Sequence, residues 1–288
     1  MDKKHPVVAV TGSSGAGTTT VKVAFDHIFN REGINAAFVE GDSFHRYDRV
    51  EMRTAVSKAE NEGRTLSHFG PEANLLTDLE GLFVDYAATG TGRLRNYVHS
   101  EEEAKLYGTP PGTFTEWRDM APGSDLLFYE GLHGGFVGDV NVADKVDLLI
   151  GVVPIVNLEW IQKIHRDSNM RGYDSADVTH TILRRMSDYV HYITPQFSLT
   201  DINFQRVPTV DTSNPFVARD VPTLDESYVV IRFKDPKKFE VDFPYLLAML
   251  HDSFMSRRNT IVVPGGKWGV AIELILTPIV KRLIEQAQ

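Results

Sequence analysis

Gly12 and Gly17 bracket four residues in Thr11-Gly-Ser-Ser-Gly-Ala-Gly-Thr-Thr19, between the apolar run Val7–Val10 and a helical pattern. A strand that turns through glycines into a helix can wrap backbone N–H groups around phosphates, with the helix N-terminus favouring negative charge. Gly12, Ser13, Ser14, Gly15, Ala16, Gly17, Thr18, Thr19 and Thr20 form this candidate nucleotide cradle, and Thr19 stands where a hydroxyl would hold a metal ion. Thr18 occupies the position of the usual lysine, so the cation aimed at the β- and γ-phosphates must come from elsewhere. A glycine-rich turn without a ligand is the plainer alternative.

The second apolar run ends in Val39-Glu-Gly-Asp-Ser-Phe-His-Arg46, which puts Asp42 after a strand with His45, Arg46 and Arg49 just beyond. A carboxylate there could accept a hydroxyl proton while the cations hold an anionic acceptor. Asp42 could equally cap a helix. Glu130 follows the run Leu126–Tyr129 and could serve Mg²⁺ directly or through water. Lys163, Arg166, Asp167 and Arg171 recur at offsets of three and four, so on a helix they share a face. That face is either a solvated set of ion pairs or a lid whose cations close over a triphosphate, with Lys163 replacing the missing lysine. His99, His133 and His165 lack metal-site spacing and read as structural.

Strand-like runs at 7–10, 36–39, 126–129, 148–153, 228–233 and 261–263 alternate with helical patterns at 19–31, 50–62, 72–86, 158–170, 176–192, 245–254 and 270–286. This predicts an α/β fold, a mostly parallel sheet with helices on both faces and ligands at the carboxyl ends of the strands. Residues 93–122, rich in Gly, Pro, Tyr and Thr, read as an irregular or antiparallel insertion with no chemical role evident from composition. Without repeats or a compositional divide, residues 1–288 read as one domain.

Of 288 residues, 39 are acidic and 30 basic, and the net charge of -9 argues against nucleic-acid or anionic-membrane partners. With no cysteine, disulfides, thiolate catalysis and thiol switches are excluded. The longest apolar stretch, 148–156, is broken by Gly151 and Pro154 and is about half the roughly 20 residues of a membrane span. Lacking room for a secretory signal before Gly12, the chain is expected to be cytoplasmic.

Read together, Gly12–Thr19, Glu40-Gly-Asp-Ser-Phe-His-Arg46, Phe128-Tyr-Glu-Gly-Leu-His-Gly134, Val152–Asp167 and Pro208-Thr-Val-Asp-Thr-Ser-Asn-Pro215 resemble the bacterial type of phosphoribulokinase, nearly end to end. That family shares the missing lysine. The resemblance implies a P-loop kinase fold with ATP and Mg²⁺, phosphorylating D-ribulose 5-phosphate at its 1-hydroxyl in carbon dioxide fixation. It further implies Asp42 as general base, Glu130 and Asp167 as acids serving metal and nucleotide, and Lys163 as the cation beside the transferred phosphate. By the same resemblance His45, Arg49, Arg166 and Arg171 bind the sugar phosphate and Arg185, Arg232 and Arg257 answer effectors, while the charged spacing makes about 157–192 the expected lid-like helical segment. NADH activation, AMP inhibition and a homo-octamer are implied too, without the disulfide control of the plant type. A uridine kinase-like nucleoside kinase and a nucleotide-sensing regulator that transfers no phosphate are the competing expectations.

Overall fold

The run Val7–Thr11 forms β1 and is buried along its whole length, as a strand covered on both faces must be. The structure, a computed structural model, describes residues 5–13, 15–170, 172–218 and 220–287, so the expected site residues Ser14 and Arg171 lie outside it. After β1 the chain forms α1 (Thr18–Glu32), β2 (Ala36–Glu40), a 3-10 turn (Gly41–Phe44), α2 (Arg49–Asn61) and α3 (Leu76–Thr89). The insertion is a short antiparallel ribbon, β3 (Arg93–Leu94) with β4 (Arg118–Asp119), interrupted by α4 (Glu101–Tyr107). Then come β5 (Leu126–Gly131), the small pair β6 (Phe136–Val137) and β7 (Val140–Asn141), β8 (Leu148–Val152) and α5 (Val156–His165). A π-helical turn (Arg166–Met170) leads to α6 (Ser175–Arg184), and β9 (Ile202–Pro208), β10 (Ser227–Phe233), β11 (Phe254–Arg257) and β12 (Thr260–Pro264) follow before the C-terminal helix Trp268–Ala287.

Eight strands form one sheet in the order β11-β12-β10-β9-β8-β1-β5-β2. The pairings from β2 to β9 are parallel and those from β9 to β11 antiparallel, so helices cover a parallel half that ends in an antiparallel edge. Alternate residues of β1 and β5 feed two cores. Val8, Val10 and Phe128 pack with α1 and the C-terminal helix, whereas Val7, Ala9 and Tyr129 pack with α3. Among the described residues no helix is long and apolar enough to cross a membrane.

Several predicted elements differ in detail. β9 was not predicted, because Asn203, Gln205 and Arg206 dilute its apolar pattern; Arg206 is buried, donating from Nε to Ser227 Oγ at 3.0 Å. The helix expected over 245–254 spans Phe243–Met249, and the chain then extends into β11. The helix expected over 158–170 changes to π geometry at Arg166, and that over 176–192 breaks after Arg184, with a second π turn at Tyr189–Ile193. Such π turns are frequent at functional sites.

Candidate active site

Register brings the carboxyl ends of the parallel strands level: Glu40 lies opposite Glu130, and Val10 opposite Glu130 on the other side. The phosphate loop leaves β1 there, tied by Gly12 N donating to Gly131 O at 3.2 Å. Gly17 precedes α1 with φ 102°, in the left-handed region, and a Cβ on it would fall 2.6 Å from the Trp268 ring. Backbone and packing both demand glycine there. The first N–H groups of α1, without partners inside the helix, then face the loop. Gly41 has a related reason: a Cβ would sit 2.7 Å from Gly131 Cα, so only glycine lets the turn carrying Asp42 approach β5.

A cavity of about 250 Å³ opens at this end, lined by Gly12, Thr18, Thr19, Glu40, Asp42 and Glu130 among others. Burial pushes the Glu130 carboxyl above the usual carboxylate range; a hydrogen bond from Thr18 works against the rise and the Asp42 charge adds to it. Lys22 Nζ pairs with Glu40 Oε1 at 3.0 Å, and the remaining oxygens of the three crowded carboxylates, beside a threonine hydroxyl, are hard donors that suit Mg²⁺. Among the described residues no three His, Cys, Asp or Glu side chains are close enough to hold a metal alone. Mg²⁺ would therefore keep water or take phosphate oxygens, as it does elsewhere.

A second cavity, of about 470 Å³, adjoins the first and is lined by Asp42, His45, His68, Lys163, Arg166 and Arg185, with Asp167 among the others. Asp42 and Leu132 belong to both. Capping of α2 falls to Asp48, whose Oδ1 accepts from Val50 N and Glu51 N at 2.8 Å each, so Asp42 has no such duty. His45 Nε2 lies 3.5 Å from Asp42 Oδ1, and His99 Nε2 lies 3.7 Å from Oδ2.

Burial favours the neutral form of His45, His68 and His133. His45 stacks on His68 with ring centroids 3.9 Å apart, and His133 faces the His68 carbonyl at 3.0 Å through Nε2. Burial is the largest cause that lowers His45 to about 3 and His133 to about 4, and it lowers His68 too. These rings offer hydrogen bonds and surface, not charge. Positive charge comes from Lys163, Arg166 and Arg185, with Arg53 at the rim. Arg185 Nε is buried with no hydrogen-bond partner in the structure, and burial first, then Arg184, lowers this guanidinium to about 10.

Lys163 Nζ and Asp167 Oδ2 are 2.6 Å apart across the end of α5, and Arg166 Nε lies 3.1 Å from Asp167 Oδ1. Burial would raise the Asp167 carboxyl, but Lys163 and Arg166 outweigh it and hold it below its ordinary value. Burial lowers Lys163 despite the opposing pull of Asp167.

The structure therefore gathers Asp42, His45, Lys163, Arg166 and Asp167 in one cavity, with Thr19 and Glu130 in the adjoining one. Of the expected metal set, Thr19 and Glu130 line the phosphate-loop cavity and Asp167 the adjoining cationic one. Arg49 points elsewhere: its Nη2 donates to the His99 carbonyl at 3.3 Å, because α2 turns this side chain toward the insertion. Arg46 is spent on the carbonyls of Glu72 and Asn74. Arg185, expected at an effector site, lines the acceptor-side cavity. Arg232 is exposed on β10, and Arg257 lines a separate cavity of about 1060 Å³ with Lys237 and Arg258.

Sequence reasoning missed the work of the insertion. Arg95 donates from Nε to Ser43 O at 3.0 Å and from Nη2 to His45 O at 2.6 Å, and its guanidinium stacks 3.7 Å from the Phe114 ring centroid. It thus holds the backbone of the Asp42 turn, while Tyr97 and His99 close over that turn. No spacing signal marks these residues; only the folded ribbon brings them to Asp42.

A family model described as "Phosphoribulokinase / Uridine kinase family" matches residues 7–213, which include both cavities. The chain belongs to the phosphoribulokinase / uridine kinase family. Within that family it is 63% identical over 288 residues to a phosphoribulokinase of Xanthobacter flavus, covering 99% of this chain and 98% of the relative. It is 60% identical to one of Nitrobacter vulgaris, with 99% of each chain covered. A solved structure of the family, phosphoribulokinase from Rhodobacter spheroides, superposes with a TM-score of 0.90 at 55% identity, covering 99% of each chain. The mostly parallel α/β fold is thus shared along the whole length with a member of the family.

Proposed function

We propose that the chain is a phosphoribulokinase, transferring the γ-phosphoryl group of ATP to the 1-hydroxyl of D-ribulose 5-phosphate. The observation that carries the mechanism is the place of Asp42, common to the phosphate-loop cavity and the cationic cavity. Asp42 takes the hydroxyl proton as the oxygen–phosphorus bond forms in line and the bond to ADP breaks. The loop from Gly12 to Thr20 binds the phosphates. Thr19 and Glu130 would hold Mg²⁺, which would supply charge neutralisation when bound. Lys163, oriented by Asp167, replaces the loop lysine, and Arg166 with the cations around it receives the sugar phosphate. His45 offers a neutral ring to the acceptor and faces Asp42.

The naming of relatives matched end to end at about 60% identity supports this acceptor over a nucleoside, as does a cavity with at least three cations, which a neutral acceptor would not need. For a non-transferring sensor, the base at the junction of the two cavities would have no use. Arg257, at the end of the edge strand β11 and lining one cavity with Lys237 and Arg258, and Arg232 serve an anionic effector such as NADH in a cytoplasmic homo-oligomer. ADP release with Mg²⁺-ATP, compared for ribulose 5-phosphate, ribose 5-phosphate, xylulose 5-phosphate and uridine with and without NADH, tests the reading. Selectivity for ribulose 5-phosphate is expected; release with uridine alone would overturn it.

A further inference from the structure

Glu159 is a carboxylic acid in the wrong place for solvent: it sits in the first turn of α5 and is 5% exposed. Its Oε2 accepts from the Tyr189 hydroxyl at 3.0 Å. The Ser13 hydroxyl of the phosphate loop is buried beside this pair and completes no hydrogen bond of its own. The loop meets the same helix face again at Gly15, where a Cβ would touch both Glu159 Cγ and the Glu159 carbonyl oxygen at 3.4 Å. One turn along, the Gln162 amide, in the orientation that satisfies both its ends, donates to the Gly15 carbonyl and accepts from Arg206 Nη1 at 3.1 Å. Lys163, which ends in the bond to Asp167, is one helical turn from Glu159, and its charge is felt there.

From this juxtaposition we propose that Glu159 is a positioning residue that couples the phosphate loop to α5, so that nucleotide in the loop sets the placement of Lys163 and Asp167. The inference rests on the kinase reading above. A buried side chain that is hydrogen-bonded on the helix side and packed on the loop side transmits displacement, because close-packed interiors do not absorb it. Burial pushes the Glu159 carboxyl above the usual carboxylate range, with the Tyr189 hydroxyl and the nearby Ser13 hydroxyl opposing, which is consistent with a group that packs and hydrogen-bonds in place of carrying charge. Glu159 also lines the cationic cavity, and its effect on transfer is exerted through the placement of Lys163 and Asp167.

The test uses the full chain, Mg²⁺ and a non-hydrolysable ATP analogue. Amide hydrogen exchange over residues 156–170 should slow when the analogue binds to the wild type, remain unchanged in Glu159→Ala at saturating analogue, and slow again in Glu159→Gln, which keeps shape and hydrogen bonding. Tyr189→Phe, a milder variant, should lose part of the effect. In turnover, Glu159→Ala should lower kcat on the order of ten- to a hundredfold with the acceptor KM within about twofold, as expected of a misplaced catalytic group. Combined with Lys163→Met it should cost nothing further. Additive losses in the double variant, or α5 exchange that ignores bound nucleotide in the wild type, would overturn the coupling while leaving the kinase intact. Failure of the wild type to bind the analogue at all would take the kinase reading down with it.

Discussion

His99 Nε2 lies 3.7 Å from Asp42 Oδ2 although the two residues come from different parts of the fold, one from the insertion and one from the turn after β2. With His45 at 3.5 Å from the other oxygen, the carboxylate lies between two rings at the junction of the cavities. Asp42→Asn keeps size and hydrogen bonding but cannot take a proton. Turnover should fall about 10²- to 10⁴-fold with nucleotide binding unchanged. Near-wild-type turnover would remove Asp42 from the role of base.

Arg95 reaches the same turn from behind, through the carbonyls of Ser43 and His45. Arg95→Lys keeps the charge but cannot span both carbonyls with a planar fork. The expected outcome is a lower kcat with nucleotide affinity retained and little loss of overall stability. Equal rates for the variant and the wild type would show that the insertion does not position Asp42.

Lys163 is buried enough to lose part of its basicity yet bonded to Asp167 at 2.6 Å. Removing it by Lys163→Met should lower kcat by roughly 10²-fold or more, as loss of one preorganised charge at a transferring group does. It should also release Asp167, one of whose lowering causes is Lys163, so its carboxyl rises toward the value burial alone would give. Carbon-detected NMR titration of the Asp167 carboxyl reads that rise, and unchanged rates would return the search for the replacement cation to Arg166 and Arg185.

The strands at 7–11, 126–131 and 148–152 were legible because they are buried and their apolar runs are continuous, whereas the edge strand at 36–40, with Phe38 exposed, was legible from its apolar run alone. The loop, Asp42 and Glu130 followed from strand ends, and Lys163 with Asp167 from helical spacing. β9 was not legible, since a strand that buries an arginine carries no periodic signal. Nor were Arg95, His68 and Arg53, which reach the site by long-range packing of an irregular ribbon, a turn and a helix. Arg49 shows the converse: its place beside the motif suggested the site, but the rotation of α2 sends it to His99.

Gly17 offers a stability test independent of catalysis. At φ 102° an L side chain is strained by about 1–2 kcal/mol, and its Cβ would be 2.6 Å from the Trp268 ring. Gly17→Ala should therefore destabilise by roughly 2 kcal/mol or more and weaken nucleotide binding together. Urea denaturation with and without the ATP analogue measures both. A fully stable variant would mean that the loop adopts another backbone path.

His133 gives the fold a pH dependence of predictable sign. Burial is the chief cause that lowers it from 6.5 to about 4, with the His68 carbonyl opposing. The unfolded chain therefore binds a proton between these values where the folded chain does not, so stability rises with pH across this window. The contribution is complete above pH 6.5 and is lost as pH falls toward 4, amounting to roughly 3 kcal/mol at 1.36 kcal/mol per unit. His133→Asn, which can still donate to the His68 carbonyl but does not titrate, should lose less stability than the wild type between pH 7.5 and 4.5. Urea midpoints at several pH values for the two proteins measure the difference, which isolates this ring from the carboxylates that titrate in both. Parallel curves would mean that His133 is solvated or charged in the folded protein.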